Sequence, residues 1–78
     1  MDAKTAVHVT IHIFVGKTKI EFDTDHVTGQ QIKEKAGVPL DYDLAHKVHG
    51  ELVQVRNDEL IEIKEGEHFE ALPPGTIS

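Results

Sequence analysis

The run Val7-His8-Val9-Thr10-Ile11-His12-Ile13-Phe14-Val15 decides how this 78-residue chain folds. Val7, Val9, Ile11, Ile13 and Val15 occupy every second position, and His8, Thr10, His12 and Phe14 fill the gaps. Side chains of an extended strand alternate between two faces, so this spacing makes one greasy face and one mixed face. Gly16-Lys17-Thr18 breaks the run, and Ile20 and Phe22 then resume the alternation. Two such runs joined by a short glycine-bearing turn read as an antiparallel hairpin with one face to bury.

The cover for that face follows in Val27-Thr28-Gly29-Gln30-Gln31-Ile32. Thr28 is placed to cap a helix, and Gln31, three residues on, completes a capping box. Val27 and Ile32 stand at the two positions of a hydrophobic staple. Gly37 supplies a left-handed stop and Pro39 prevents resumption, so the helix is expected to end near Ala36. Ile32 and Ala36 share one face, while Gln30, Lys33 and Glu34 read as solvated. A helix this short is marginal alone and must lean on the hairpin.

After Pro39, Asp41-Tyr42-Asp43 reads as a turn and Leu44 to Val48 as a third strand. His49-Gly50 turns the chain into a fourth strand, Leu52 to Val55, and Arg56-Asn57-Asp58-Glu59 breaks it. Leu60, Ile61 and Ile63 fit either a helical turn or a small strand. Lys64-Glu65-Gly66 turns again, and Glu67 to Leu72 forms the last strand, with Phe69 and Ala71 on one side. One helix laid across one face of a mixed sheet of four to five strands buries these faces most economically. The long apolar first strand and the last strand then lie parallel at the centre. The expected class is α+β, a β-grasp: domain 1–72, followed by a flexible tail, 73–78.

Composition narrows the function. The chain is 38% hydrophobic and 28% charged, as for one small globular domain. Its net charge of −6 offers no basic face, which argues against nucleic-acid partners. The acidic surface suits solubility, or steering toward basic partners. The longest apolar run, Ala6 to Val15, is too short for a bilayer and carries His8, Thr10 and His12. Neither a secretory signal nor a membrane partner is expected. With no cysteine, disulfides, thiol catalysis and thiolate metal sites are excluded, and a cytoplasmic setting fits.

The residues also carry a resemblance. Ile11-His12-Ile13-Phe14-Val15-Gly16-Lys17, the helix start at Val27 to Ile32, and the helix exit Ala36-Gly37-Val38-Pro39 with Asp41-Tyr42-Asp43-Leu44 resemble the ubiquitin-like superfamily. Together with Glu65-Gly66-Glu67-His68-Phe69 and Pro73-Pro74, they are more closely similar to bacterial multiubiquitin domains. The likeness covers about Val7 to Gly75. It implies a modifier whose terminal glycine carboxylate is adenylated with ATP by a ubiquitin-activating-like enzyme. A conjugating-like enzyme then delivers it to a nucleophile on target proteins. By position, Gly75 would bear that carboxylate, and Pro73 and Pro74 would hold the tail straight. No Gly-Gly pair is present and Gly75 is not last, so a processing peptidase would first cut at the Gly75–Thr76 bond. In such folds the outer sheet face receives partners, and Phe14, Leu40, Val53 and Leu72 are the candidate docking residues. Self-association, and membership of a tandem array, remain compatible with the sequence.

Other chemistries find less support. His8 and His12 share a strand face but lie ~13 Å apart along it, too far for one ion. His46 and His49 flank a turn with no completing ligand, so no metal or other cofactor is expected. Asp23 with Asp25, and Asp41 with Asp43, are turn carboxylates explained by solvation and capping. The single Gly29 at the helix start is no phosphate cradle. The chain does not read as an enzyme. Two rival readings remain beside the modifier: a non-conjugated β-grasp module for docking or self-assembly, and a sulfur carrier, which also needs a terminal glycine. Lys4, Lys17, Lys19, Lys33, Lys35, Lys47 and Lys64 could accept self-conjugation, but exposed lysines require no such role.

Overall fold

The computed structural model describes residues 10–75. Val7, Val9, Lys4 and Thr76 to Ser78 therefore lie outside the described residues. The elements are β1 (Ile11–Val15), β2 (Thr18–Phe22), β3 (His26–Thr28), α1 (Gly29–Ala36), β4 (Asp43–Val48), β5 (Glu51–Val55), β6 (Leu60–Glu62) and β7 (Glu67–Leu72). Five strands form a mixed sheet in the order β2-β1-β7-β4-β5, and β3 pairs with β6 in a second, two-stranded sheet. The chain is α+β with the β-grasp architecture.

The central pairing is parallel, as the sequence implies: Ile13, Phe14 and Val15 of β1 register with Glu67, His68 and Phe69 of β7. β7 also runs antiparallel to β4, from Asp43↔Leu72 to His46↔Phe69. Ile11, Ile13 and Val15 of β1 are buried and His12 and Phe14 half-buried, so the period-two reading holds in detail. Phe69, Ile13, Ile32, Leu44, Ile63 and Val27 are the largest fully buried side chains. They join Ile11, Val15, Ile20 and Val55 in one cluster between the sheet and the helix.

The capping box forms. Thr28 Oγ1 accepts from the Gln31 N–H at 3.2 Å, and Gln31 Oε1 accepts from the Thr28 N–H at 2.8 Å. Gly37 ends the helix in the left-handed region at φ 75°. Gly29, at the first helical turn, is buried because the chain around Arg56 passes directly over it. A methyl group there would overlap the Arg56 carbonyl oxygen.

Two expectations change and one open reading is decided. Lys33 is 3% exposed rather than solvated, because it shares the buried stripe of Gly29, Ile32 and Ala36 at positions i, i+3, i+4 and i+7. Of the cluster Leu60 to Ile63, Leu60–Glu62 forms strand β6, pairing Val27 with Ile61, and Ile63 follows it into the core. Val27 and Thr28 thus serve as strand and helix start at once. Asp43 opens β4 rather than closing a turn, registering with Leu72.

Candidate functional site: the tail and the open sheet face

β7 sits between two neighbours, so the chain leaving it is anchored at the middle of the sheet. The strand ends at Leu72, where Pro73 has no N–H to continue a ladder. Pro73, Pro74 and Gly75 are exposed, and Pro74 and Gly75 form a turn. Gly75 has φ 84°, a conformation that residues with a Cβ rarely adopt. A proline followed by a glycine at positive φ suits the two central positions of a type II turn. Pro74 and Gly75 thus stand in a turn at the last of the described residues. An added Cβ at Gly75 would meet nothing within 4 Å.

The four candidate docking residues do not converge. Phe14 lies on the sheet face opposite the helix and stacks on His68 with ring centroids 5.0 Å apart and planes at 14°. That pair follows from register, since Phe14 and His68 are opposite each other across the central parallel pairing. Leu72 lies on the same open face, four residues beyond His68, and is half-buried. Val53 does not belong with them. It registers with His46, which registers with the core residue Phe69, so Val53 points to the helix side of the sheet. It is nonetheless 51% exposed, because the cover of α1 does not reach it. Leu40 is off the sheet in the turn after the helix, and its carbonyl accepts from Lys33 Nζ at 3.1 Å. The neighbour missed on the open face is Leu52, 49% exposed and paired with Lys47. Two adjacent apolar residues in β5 leave its phase undetermined from sequence, which is why Val53 and Leu52 were indistinguishable there.

On the same face His12 lies between two carboxylates. Its Nε2 is 3.2 Å from Glu21, and its Nδ1 is 3.2 Å from Glu65. The two acids flank opposite ring nitrogens, an arrangement for hydrogen bonding across strands rather than for converging on one ion. Glu65 also accepts the His12 backbone N–H at 2.8 Å. That bond, chiefly, holds its carboxyl below the ordinary 4.5, with the His12 ring adding a smaller pull. His46 lies on the helix side instead, stacked on Phe69 with centroids 4.4 Å apart and 3.4 Å from Glu67. His49 occupies the β4–β5 turn, and His8 lies outside the described residues. Among the described residues no group of three or more His, Cys, Asp or Glu is disposed to hold a metal ion.

A shallow depression lies over Lys33, between Leu40, Tyr42, Gln54 and Asn57. Its ammonium is occupied by the protein itself: Leu40 and Tyr42 offer carbonyl oxygens, and Asn57 Oδ1 lies at 2.6 Å. The lysine is a knot that ties the helix to the turns on either side of the β4–β5 hairpin. The helical stripe through Gly29, Ile32 and Ala36 was the signal that could have exposed it.

A mixed sheet with parallel central strands, one helix packed across one face and a tail leaving the middle strand define a ubiquitin-like β-grasp domain. The multiubiquitin family model matches residues 11–73, most of the chain. The chain belongs to the multiubiquitin family. None of the curated proteins and none of the solved structures compared with it matches. The matched span stops at Pro73, so Gly75 lies beyond what family membership covers. No helix among the described residues is long and apolar enough to cross a membrane.

Proposed function

We propose that the chain is the precursor of a ubiquitin-like protein modifier in a bacterial, cytoplasmic conjugation pathway. A peptidase cleaves the Gly75–Thr76 bond, and a ubiquitin-activating-like enzyme adenylates the freed Gly75 carboxylate. A conjugating-like enzyme passes it to target proteins. The chain's own residues do no chemistry in this reading; they present a carboxylate and a docking face. The supporting observation is Gly75 itself: an exposed glycine three residues past the end of a central strand, with open space where a side chain would stand.

Incubation with the cognate peptidase, read by intact mass, is expected to remove Thr76-Ile77-Ser78 together. Cleavage at any other bond, or none, overturns the proposal. The variant G75A sharpens it. A methyl group there meets no neighbour, so its cost is the left-handed backbone alone, roughly 1 kcal/mol. It should stay folded and resist processing.

A second reading, a non-conjugated interaction module, draws support from Leu52 and Val53, 49% and 51% exposed on β5. Deleting residues 75–78 separates the two. Covalent adducts vanish under the first reading, and binding persists under the second.

A further inference from the structure

The two edges of the five-stranded sheet are built differently. On β2 the charged residues Lys19 and Glu21 stand along the rim, a familiar guard against stray pairing. β5 carries no such guard. Its interior is Leu52-Val53-Gln54, with no charge, proline or bulge, and both hydrophobes are half exposed. Among the described residues no strand pairs with its outer edge.

The hairpin fixes which backbone groups that edge offers. His49 and Gly50 both have positive φ, 51° and 81°, the signature of a two-residue type I′ turn. The closing pair Val48↔Glu51 of such a turn is hydrogen-bonded, and bonded pairs alternate along an antiparallel ladder. Glu51, Val53 and Val55 therefore turn their N–H and C=O groups toward β4. Leu52 and Gln54 turn theirs outward.

We infer that β5 pairs antiparallel with β5 of a second copy of this chain, about a two-fold axis through Val53. Only a register centred on Val53 brings the outward groups into bonded pairs on both sides of the axis. Leu52 exchanges two backbone hydrogen bonds with the partner's Gln54, and Gln54 does the same with the partner's Leu52. Val53 faces the partner's Val53 as a non-bonded pair. Side-chain parity is preserved, so both helices lie on one side of a continuous ten-stranded sheet. Charge disfavours the in-register parallel alternative: it would set Glu51 beside the partner's Glu51, whereas the antiparallel register sets Glu51 opposite the uncharged Val55 of the partner. A strand this short buries little area, so the dimer is a weak one, strengthened when units are linked in one chain. The inference does not depend on any event at Gly75.

The absence of cysteine makes the test direct. A non-bonded antiparallel pair brings its Cα atoms to about 4.5 Å, inside the range a disulfide spans. Under mild oxidation, V53C is expected to form a disulfide dimer at least about tenfold faster than L60C, which places a thiol on a more exposed residue away from this edge. Equal rates overturn the proposal. Adding Q54P to V53C removes an outward N–H but no bond to β4, so cross-linking should fall to the L60C rate with circular dichroism unchanged. A V53C/Q54P protein that stays folded and cross-links undiminished overturns backbone pairing. V53K, which sets two like charges opposite each other, should abolish concentration-dependent mass in sedimentation velocity. Wild-type mass that grows past the dimer overturns the closed two-fold in favour of β2-to-β5 strings.

Discussion

The β1–β2 hairpin and the β4–β5 hairpin use similar residues to opposite ends. In β1 the alternating positions Ile11, Ile13 and Val15 are all buried, and β2 adds Ile20. In β5, a strand of equal length, only Val55 is buried, while Leu52 and Val53 stand half exposed. Hydrophobicity does not separate the two; coverage by α1 does. Val53 and Phe69 share one sheet face, yet one is 51% exposed and the other 0%. Apolar strand residues stabilise this fold only where the short helix, or the chain packed beside it, excludes water from them.

The largest expected break in that contrast is F69A. Emptying the space of a fully buried ring should cost about 3–5 kcal/mol in urea unfolding, whereas V53A should cost no more than about 0.5 kcal/mol. Similar values for the two would show that the uncovered hairpin carries more of the fold than its exposure implies. K33M probes the knot that joins the regions. It removes an ammonium from three oxygen acceptors, and the stranded carbonyls should cost about 2–4 kcal/mol, measured the same way. G29A tests the place where the chain after β5 crosses the helix. Its methyl group collides with the Arg56 carbonyl, and the displacement should cost about 1–3 kcal/mol with the hairpin shifts visible by NMR.

The smallest effect concerns Glu65. Its folded-state pKa lies below the ordinary 4.5, so its ionised form is favoured by folding. The resulting stability is present above 4.5 and is lost as pH falls through the lower folded value. Wild type should therefore exceed E65Q in melting temperature by a constant margin at neutral pH, and the margin should close on acidification. A margin that widens in acid would refute the His12 contact as its cause.

Regular, one-sided elements were legible in the sequence. The β1–β2 hairpin, the Thr28 cap, the Gly37 stop and the bounds of β7 rest on periodicity and capping chemistry that the local sequence carries by itself. β3 was not, because Val27-Thr28 already read as a helix start, and β6 stood only as one of two readings, because three residues give no period. Lys33 reads as solvated by its charge, although its position on the helix stripe points inward. Val53 failed for want of phase: Leu52-Val53 offers two apolar neighbours and no alternation to choose between them. At the tail the two prolines read only as a stiff extension, and the turn at Pro74 and Gly75 is visible only in three dimensions.

Parallel alignment of β1 with β7 has a mechanical corollary. The start of one strand and the end of the other lie at opposite ends of the pair, so tension applied through the two ends of the domain slides these strands along each other. Every bond of the central ladder must then give way together, instead of opening one at a time like a zip. A domain tethered at both ends to neighbours would resist stretching far better than its modest size suggests.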